Sequence, residues 1–460
     1  MSLLDRLRDA IGAQYVLTGT DTAGFGEEYT GHYHWTPLAV LRPASTAEVA
    51  AVMAIAHETG TPVVACGGGT GLNGGHEAEG RLMLSLSRLN RIRDINPAAR
   101  TVAAEAGVVL ETLQNAVAPH DLMFPLSFGA KGSAMVGGFL STNAGGSNVV
   151  RYGNARAQCL GLEVVMADGR IMNLMTALHK DNTGYDLRNL MIGAEGTLGI
   201  ITAAMLRLVP EPRARATALL AMTGFGPALA LLNRLQAGTG GAVEAFEYLP
   251  DLFWDRLARY KPELGCPIAP QKVNILLEIA TTVPGEDPQA RLEDLLAGPL
   301  EAGEITDAII ASSEAQRAKL WHIRESAAEV TLNEDPIVDT DVALPLDLVA
   351  PWLDRMNARL VTMDPAARAM AIGHLGDGNL HYTVYPSAPA LVTPIRDAIS
   401  QEAVAMGGTF SAEHGVGLSK LGSMAKYKDP VALEVMRAIK AALDPKNILN
   451  PGKTVPASKD

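Results

Sequence analysis

The chain has 460 residues, too many for one hydrophobic core, so two or three domains are expected. Apolar residues make up 48% and charged residues 19%, an ordinary globular balance that excludes a largely disordered protein. A net charge of −12 denies nucleic acid the cationic surface its phosphates need, but it leaves room for a local cluster of cations around a small anionic substrate.

Cys66, Cys159 and Cys266 lie far apart, form no metal-type spacing and fit a reducing compartment better than a disulfide framework. The N-terminal run carries charges at helical spacing and has no apolar signal core. No run approaches the ~20 apolar residues of a membrane span. A cytoplasmic protein with no integral membrane segment is expected.

In chain order, the first readable unit is βαβ. Residues 38–41 form a short apolar strand stopped by Pro43. Ser45, with Glu48 three places on, gives a capping-box pattern, and Val49, Val52, Met53 and Ala56 recur at helical spacing before Gly60 as a stop. Residues 62–65 form the second strand. Further strands are expected at 82–86, 101–104, 162–166 and 200–208. The proline-rich run 208–212 reads as a boundary. Beyond it, strand and helix candidates at 216–222, 227–235, 272–279 and 305–311 give the pattern of an α+β second domain. The tail from about 430 is too short to fold alone and must pack back on one of the domains. The expected division is 1–210, 211–430 and 431–460.

The second strand delivers the chain to Cys66-Gly67-Gly68-Gly69-Thr70-Gly71-Leu72-Asn73-Gly74-Gly75. Residues 69–74 satisfy the G-x-G-x-x-G expression, but Gly75, Glu77, Glu79 and Gly80 follow where a dinucleotide fold needs a helix, so the NAD reading fails on context. Consecutive glycines do suit a backbone nest for a pyrophosphate, because no Cβ blocks φ > 0. A tight turn between strands is the alternative. Two more loops of small residues, 125–146 and 193–201, could surround a large cofactor from other sides. Gly452-Lys453-Thr454 lacks the upstream glycine of a Walker A loop, which leaves an ATPase unsupported.

The most telling stretch is Gly373-His374-Leu375-Gly376-Asp377-Gly378-Asn379-Leu380-His381, read with Glu413-His414. Two imidazoles and a carboxylate (His374, His381, Glu413) suit a borderline divalent ion with an open position, and His414 is a spare base. In an unbroken strand His374 and His381 would point to opposite faces, so the Gly376-Asp377-Gly378 insert must bend the chain. The alternative is core histidines hydrogen-bonded to carbonyls. Arg324 is either a surface helix arginine paired with a carboxylate or a fork for a substrate carboxylate.

Five separated motifs now stand in one order: Gly-Gly-Gly-Thr-Gly-Leu, Pro-Leu-Ser-Phe-Gly-Ala-Lys-Gly-Ser, Gly-Ala-Glu-Gly-Thr-Leu-Gly-Ile, Gly-His-Leu-Gly-Asp-Gly-Asn-Leu-His and Glu-His-Gly-Val-Gly. From about Trp35 to Lys453 the chain resembles the p-cresol methylhydroxylase/vanillyl-alcohol oxidase flavoproteins. Within them it is similar to the FAD-dependent D-2-hydroxyacid dehydrogenases, the D-2-hydroxyglutarate and D-lactate dehydrogenase group. The resemblance implies an α+β fold. A two-subdomain FAD-binding domain would be followed by an α+β substrate- and metal-binding cap domain with a large antiparallel sheet. A C-terminal segment would return to the FAD-binding domain.

The resemblance further implies that Gly67, Gly68, Gly69, Thr70, Gly71 and Leu72 hold the FAD pyrophosphate. Gly132, Ser133, Gly137, Thr142, Asn143 and Gly145 would line the flavin, with Pro125 in the same set. Glu195, Gly196, Ile200 and Ile201 would lie near the ADP half and Asn450 near the isoalloxazine. Thr70 occupies the position where covalent relatives often carry histidine, so the FAD is expected to be non-covalent. His374, His381 and Glu413 would bind Zn²⁺ or Mn²⁺, and His414 would be the base. Arg324 would hold the C1 carboxylate of a small 2-hydroxy acid, with Thr383 and His414 also at the substrate. The C2 hydride would pass to flavin N5, leaving a 2-oxo acid, and electrons would go on to an acceptor such as an electron-transfer flavoprotein, a quinone or a dye. A homodimer is compatible with this reading.

Two departures bear on the substrate. Asp339 stands where the D-2-hydroxyglutarate enzymes carry a lysine for the distal carboxylate, and Thr383 and Ala328 stand where they have asparagine and threonine. These favour the D-lactate branch, whereas Trp321-His322-Ile323-Arg324-Glu325-Ser326 and Ala245-Phe246-Glu247-Tyr248 resemble the D-2-hydroxyglutarate branch. Two other readings compete: the flavoprotein subunit of a glycolate or lactate oxidase complex, and a non-catalytic zinc or nucleotide-binding protein.

Overall fold

The computed structural model describes residues 1–458 and divides the chain into two units. The first comprises 1–145, 154–210 and the chain from Glu413 onward; the second comprises 146–153 and 211–412.

Two larger sheets and a two-residue pairing of Val209–Pro210 with Leu122–Met123 make up the first unit. Strands β1 (Val16–Leu17), β2 (Ala39–Leu41), β3 (Val63–Cys66) and β4 (Leu82–Ser85) run in the order β1-β2-β4-β3. The helix Thr46–Thr59 starts where Ser45 Oγ accepts the Glu48 N–H (3.1 Å) and ends at Gly60 in the left-handed region (φ 68°). Its buried Val49, Val52, Met53 and Ala56 pack against Leu41, Leu84 and Leu449. The two strands flanking this helix are not neighbours, because β4 lies between them and pairs in parallel with both.

The second sheet of this unit is antiparallel. It comprises β5 (Ile92–Asn96), β6 (Thr101–Glu105), β7 (Cys159–Val165), β8 (Ile171–Leu174) and β9 (Ile200–Arg207), in the order β5-β6-β9-β7-β8. The C-terminal segment closes back on this unit. The Val63 N–H donates to the Ile448 carbonyl (2.7 Å), and the Asn450 N–H donates to the Val63 carbonyl (2.9 Å), so Leu449 extends the sheet beside β3.

Residues 413–430, which the sequence reading gave to the second domain, pack with the first unit. Side chains of the first and third glycine loops grip the backbone of 414–419.

The second unit is built on a seven-stranded antiparallel sheet. Its strands are β10 (Ala214–Met222), β11 (Val243–Leu249), β12 (Val273–Thr281), β13 (Ile305–Ile310), β14 (Asp341–Ala343), β15 (Arg368–His374) and β16 (Asn379–Tyr385), in the order β13-β10-β12-β11-β15-β16-β14. Period-2 alternation assigns the two faces. Ile275, Leu277 and Ile279 of β12 and Leu380, Tyr382 and Val384 of β16 enter a large core with the helices Phe225–Thr239, Pro288–Glu301, Val349–Met363 and Val392–Ala405. The opposite face carries a smaller apolar cluster, with Leu249, Leu276 and Ile372 against the helices Asp251–Tyr260 and Glu314–Glu325. This second face also holds a row of polar side chains.

Candidate active site

The hairpin β15–β16 resolves the spacing of the two histidines. The turn at Leu375–Gly378 reverses the chain so that His374 pairs in register with Asn379, and His381 pairs with Ile372. Residues 372, 374, 379, 381 and 383 therefore share one face. The two imidazole rings meet edge-on, centroids 5.4 Å apart at 85°. Their nearest ring nitrogens lie within 4.8 Å, a separation that one metal ion can span.

A carboxylate faces each imidazole. Glu247 stands directly across from His374 in the β11–β15 ladder, fully buried, and its Oε1 is 2.9 Å from His374 Nδ1. An ionised carboxylate only accepts, so Nδ1 carries a proton, and whenever the ring is neutral Nε2 keeps the lone pair a metal requires. Asp341, 1% exposed, lies across from His381 in the β14–β16 ladder, with one oxygen within 4.8 Å of a His381 ring nitrogen. Asn379 Nδ2 and the Ala412 N–H both donate to the Asp341 carboxylate, at 2.9 and 3.1 Å. Glu413 is the next residue in the chain.

Glu247 has a second partner. Arg324, on the helix Glu314–Glu325, donates through Nε to Glu247 Oε2 (2.8 Å), and its Nη2 is ion-paired with the same oxygen at 2.8 Å. Burial alone would raise the Glu247 carboxyl, but the charges of His374 and Arg324 and their hydrogen bonds hold it below its ordinary value. Arg324 is thus no surface arginine: its side chain is 11% exposed, and its Nη1 end remains available for a further carboxylate. Next to the histidine pair, Thr383 Oγ1 donates to Asp339 Oδ1 (2.9 Å), so the position that favours a lysine in the D-2-hydroxyglutarate branch holds an acid bonded to a substrate-site candidate.

In the first unit the three small-residue loops converge. A Cβ added at Gly68 would lie 2.0 Å from the Ser133 carbonyl oxygen, and one at Gly67 would lie 3.4 Å from the Gly138 Cα, so the first loop presses backbone to backbone on the second. Thr70, Gly71 and Leu72 continue the first loop after Gly69, which has φ +68°. Pro125 is buried upstream, and Gly132 and Ser133 are exposed at the tip of the second loop. Gly137 lies in the short helix Val136–Ser141, against Ala106, and Thr142, Asn143 and Gly145 follow that helix.

In the third loop, Glu195 and Gly196 have positive φ, and the Glu195 carboxylate accepts the Val416 and Gly417 N–H groups at 2.8 and 2.9 Å. Burial raises this carboxyl above its ordinary value, against the lowering effect of those bonds. Ile200 and Ile201 send their side chains into apolar cores, so only their backbone could face a cofactor.

Asn450, 3% exposed, donates through Nδ2 to the carbonyls of Gly75 (3.0 Å) and Glu195 (2.8 Å), while its Oδ1 has no partner among the described residues. A buried orphan acceptor beside the glycine nest is what a donor on a bound cofactor would satisfy. The loops therefore fit the FAD that the motifs imply. Lys453, by contrast, is committed to the protein, with Nζ 2.6 Å from the Glu77 carbonyl and paired with its carboxylate at 3.4 Å.

Asn73, absent from the candidates read from sequence, ties the first loop to the segment that bears His414. Its Nδ2 donates to the carbonyls of His414 (2.8 Å) and Gly415 (2.9 Å), and its Oδ1 accepts from Ser419 Oγ (2.7 Å). Its backbone carbonyl accepts from Leu418 (2.7 Å). Gly417 allows this approach: at φ +49°, a Cβ there would lie 2.1 Å from the Asn73 carbonyl oxygen. His414 Nε2 stands 3.7 Å from Glu413 Oε1. Glu247, Asp341 and Asn379 were also missed. Their only local signal is a polar residue within a strand of alternating pattern.

The three cysteines are free, and burial pushes Cys66 and Cys159 up to about 11 and about 12, which makes both inert. Among the described residues no helix is long and apolar enough to cross a membrane.

Comparison with known proteins agrees with these features. The family described as FAD linked oxidases, C-terminal domain, matches residues 211–454, and the FAD binding domain matches 37–175. The mitochondrial D-2-hydroxyglutarate dehydrogenase of Bos taurus is 38% identical over 91% of this chain and 76% of its own length. The D-2-hydroxyglutarate dehydrogenase of Xanthomonas citri pv. viticola is 36% identical over 94% of this chain and 92% of its own. The solved structure of p-cresol methylhydroxylase with substrate bound superposes with a TM-score of 0.75 at 16% identity, over 99% of this chain and 96% of that one, a likeness of fold alone.

Proposed function

This chain belongs to the FAD-linked D-2-hydroxyacid dehydrogenases of the p-cresol methylhydroxylase/vanillyl-alcohol oxidase flavoproteins, and from that premise we propose that it oxidises the C2 hydroxyl of a D-2-hydroxy acid to the 2-oxo acid. Non-covalent FAD would supply the hydride acceptor at N5, and a Zn²⁺ or Mn²⁺ ion would polarise the C2 oxygen. Arg324 binds the C1 carboxylate with the guanidinium end that Glu247 leaves open. His374, His381 and Glu413 would hold the ion. His414 takes the hydroxyl proton on a ring nitrogen, a step worth ~10²–10⁴-fold. The observation that carries this reading is the buried Glu247 carboxylate, which bonds the proposed carboxylate anchor and a proposed metal ligand at once. The reduced cofactor would be reoxidised by an acceptor such as an electron-transfer flavoprotein or a quinone. The dispersed cysteines support a cytoplasmic setting.

D-2-hydroxyglutarate is the leading substrate, because it is the one named for the relatives. D-lactate, or glycolate in a larger oxidase complex, is the second reading. It is favoured by Asp339, whose charge beside Thr383 would repel a distal carboxylate.

Anaerobic mixing of the purified enzyme with D- and L-hydroxy acids, followed by flavin absorbance, tests the proposal. A D acid is expected to bleach the flavin. Bleaching by L acids alone would remove the stereochemical assignment, and a colourless protein would remove the enzyme. His414→Ala should keep the flavin and lose most of its reduction. Chelation with EDTA should suppress turnover without releasing FAD, and full activity of metal-depleted enzyme would dismiss the metal.

A further inference from the structure

The helix Glu314–Glu325 is held to the polar face of the large sheet by two buried carboxylates. Arg317, Trp321 and Arg324 lie on one side of that helix, at spacings of four and three. Glu278 takes the first two: it accepts from Arg317 Nε (2.7 Å) and Nη2 (3.0 Å), Trp321 Nε1 (2.9 Å) and Thr217 Oγ1 (2.5 Å). Arg215 Nε also lies 3.8 Å from Glu278 Oε1, and among the described residues none of these partners of Glu278 is an imidazole. Glu247 takes the third residue, Arg324, but it divides its two oxygens, with Oε2 on the guanidinium and Oε1 on His374. Apolar Leu249, Leu276 and Ile372 line the same face. A carboxylate bound only for anchoring would resemble Glu278.

We propose that Glu247 is a positioning residue for two groups at once, fixing His374 in the Nδ1–H tautomer so that Nε2 keeps its lone pair for a divalent ion, and holding the Nε edge of Arg324 so that its Nη1 end is presented to a substrate carboxylate. The proposal rests on the metal reading of His374 given above. One rigid carboxylate then sets the distance between the carboxylate anchor and the metal, and with it which hydroxy acids can span the two.

The chemistry makes Glu247→Gln a sharp probe. Glutamine offers one acceptor and one NH₂. Guanidinium has no acceptor, so the amide oxygen must stay on Arg324 and the NH₂ must face His374. An NH₂ donating to Nδ1 drives the imidazole proton to Nε2 and removes the metal's lone pair. The substitution is isosteric and keeps Arg324 satisfied, so it should spare the anchor and spoil the ligand.

The test is calorimetric titration of Zn²⁺ into flavin-loaded, metal-stripped enzyme, for wild type, Glu247→Gln, His374→Ala and Glu278→Gln. Glu247→Gln should bind Zn²⁺ about 10–100-fold more weakly, with flavin content unchanged and, at saturating Zn²⁺, a KM for the D acid close to wild type. Glu278→Gln should lower the thermal midpoint and leave the Zn²⁺ affinity alone. If His374→Ala binds Zn²⁺ as wild type does, the metal reading itself is wrong. If His374→Ala loses Zn²⁺ while Glu247→Gln keeps wild-type affinity, the Glu247 proposal alone is overturned. A measurement on the unmutated chain removes any dependence on variant folding. Nitrogen-15 shifts of His374 in the metal-stripped enzyme should report a protonated Nδ1, and a protonated Nε2 would overturn the proposal.

Discussion

Asn73→Ala isolates how the first glycine loop acts on the proposed base. The substitution removes three side-chain hydrogen bonds, to the His414 and Gly415 carbonyls and from Ser419 Oγ, and leaves intact the backbone bond from Leu418 to the residue 73 carbonyl. At roughly 1 kcal/mol net for each bond, about 3 kcal/mol of restraint on the segment 414–419 is lost. Two bonds from Val416 and Gly417 to Glu195 survive, so the segment loosens without detaching. About 3 kcal/mol corresponds to roughly 10²-fold in the population of the ordered segment, which sets the upper limit on the fall in flavin reduction rate. Stopped-flow reduction by the D acid should therefore slow 10- to 100-fold, by the same reckoning, while FAD affinity stays near wild type. Asn73→Asp should be no better than Asn73→Ala, because a carboxylate set against two carbonyl oxygens repels instead of donating. Wild-type rates in both variants would refute the reasoning. So would a loss of FAD affinity parallel to the loss of rate, since Asn73 would then act through the cofactor loop and not through His414.

Two further outcomes follow from the first unit. Gly68→Ala puts a Cβ 2.0 Å from the Ser133 carbonyl, a backbone atom that cannot rotate away; the cost should be about 1–3 kcal/mol of stability, with protein purifying short of flavin, and a normal absorbance ratio with a normal melting point would deny the close approach. His76, against Trp35, is lowered from its ordinary 6.5 to about 4, first by burial and then by the charge of Lys453. The unfolded chain therefore binds a proton before the folded one does, and stability falls as pH drops through the window from 6.5 to 4. Between pH 7 and pH 5 the loss should be about 2 kcal/mol, read as the difference in urea unfolding free energy between wild type and His76→Gln, and identical pH profiles would exclude it.

Much of the architecture was legible because its signals are local. Ser45, Glu48 and Gly60 bracket their helix as read, and strands appear near 82–86, 101–104, 162–166 and 200–208 because apolar runs bounded by turn residues have few other fates. Sheet order was not legible. Nothing local at 82–85 announces that this strand inserts between its two predecessors. The return of the chain at Glu413 was hidden for a similar reason. The composition of 413–430 does not differ from what precedes it, and the Asn73 and Glu195 contacts that attach it to the first unit span more than two hundred residues of sequence, |i−j| being 341 for Asn73 to His414 and 221 for Glu195 to Val416.

The same distance separates the proposed ligand motif from the groups that would make it chemically competent. His374 and His381 were found because two imidazoles near three glycines are conspicuous, but two imidazoles do not fix their own tautomers. The group that does so for His374 is a glutamate 127 residues upstream, in a strand whose pattern reads as ordinary alternation, and the arginine sharing that glutamate lies 77 residues from it on a helix. Antiparallel register converts these separations into contact. Once β11 pairs with β15, Glu247 must face His374, and once β14 pairs with β16, Asp341 must face His381. A one-residue slip of the first ladder would turn Glu247 into the apolar core and leave His374 without its acceptor. The sheet's core packing thus holds the register, and the register selects which nitrogen of His374 donates. Large-to-small changes deep in that core, at Trp352 or Tyr382, where the rings meet at 5.1 Å, are for this reason expected to weaken metal binding before they unfold the unit.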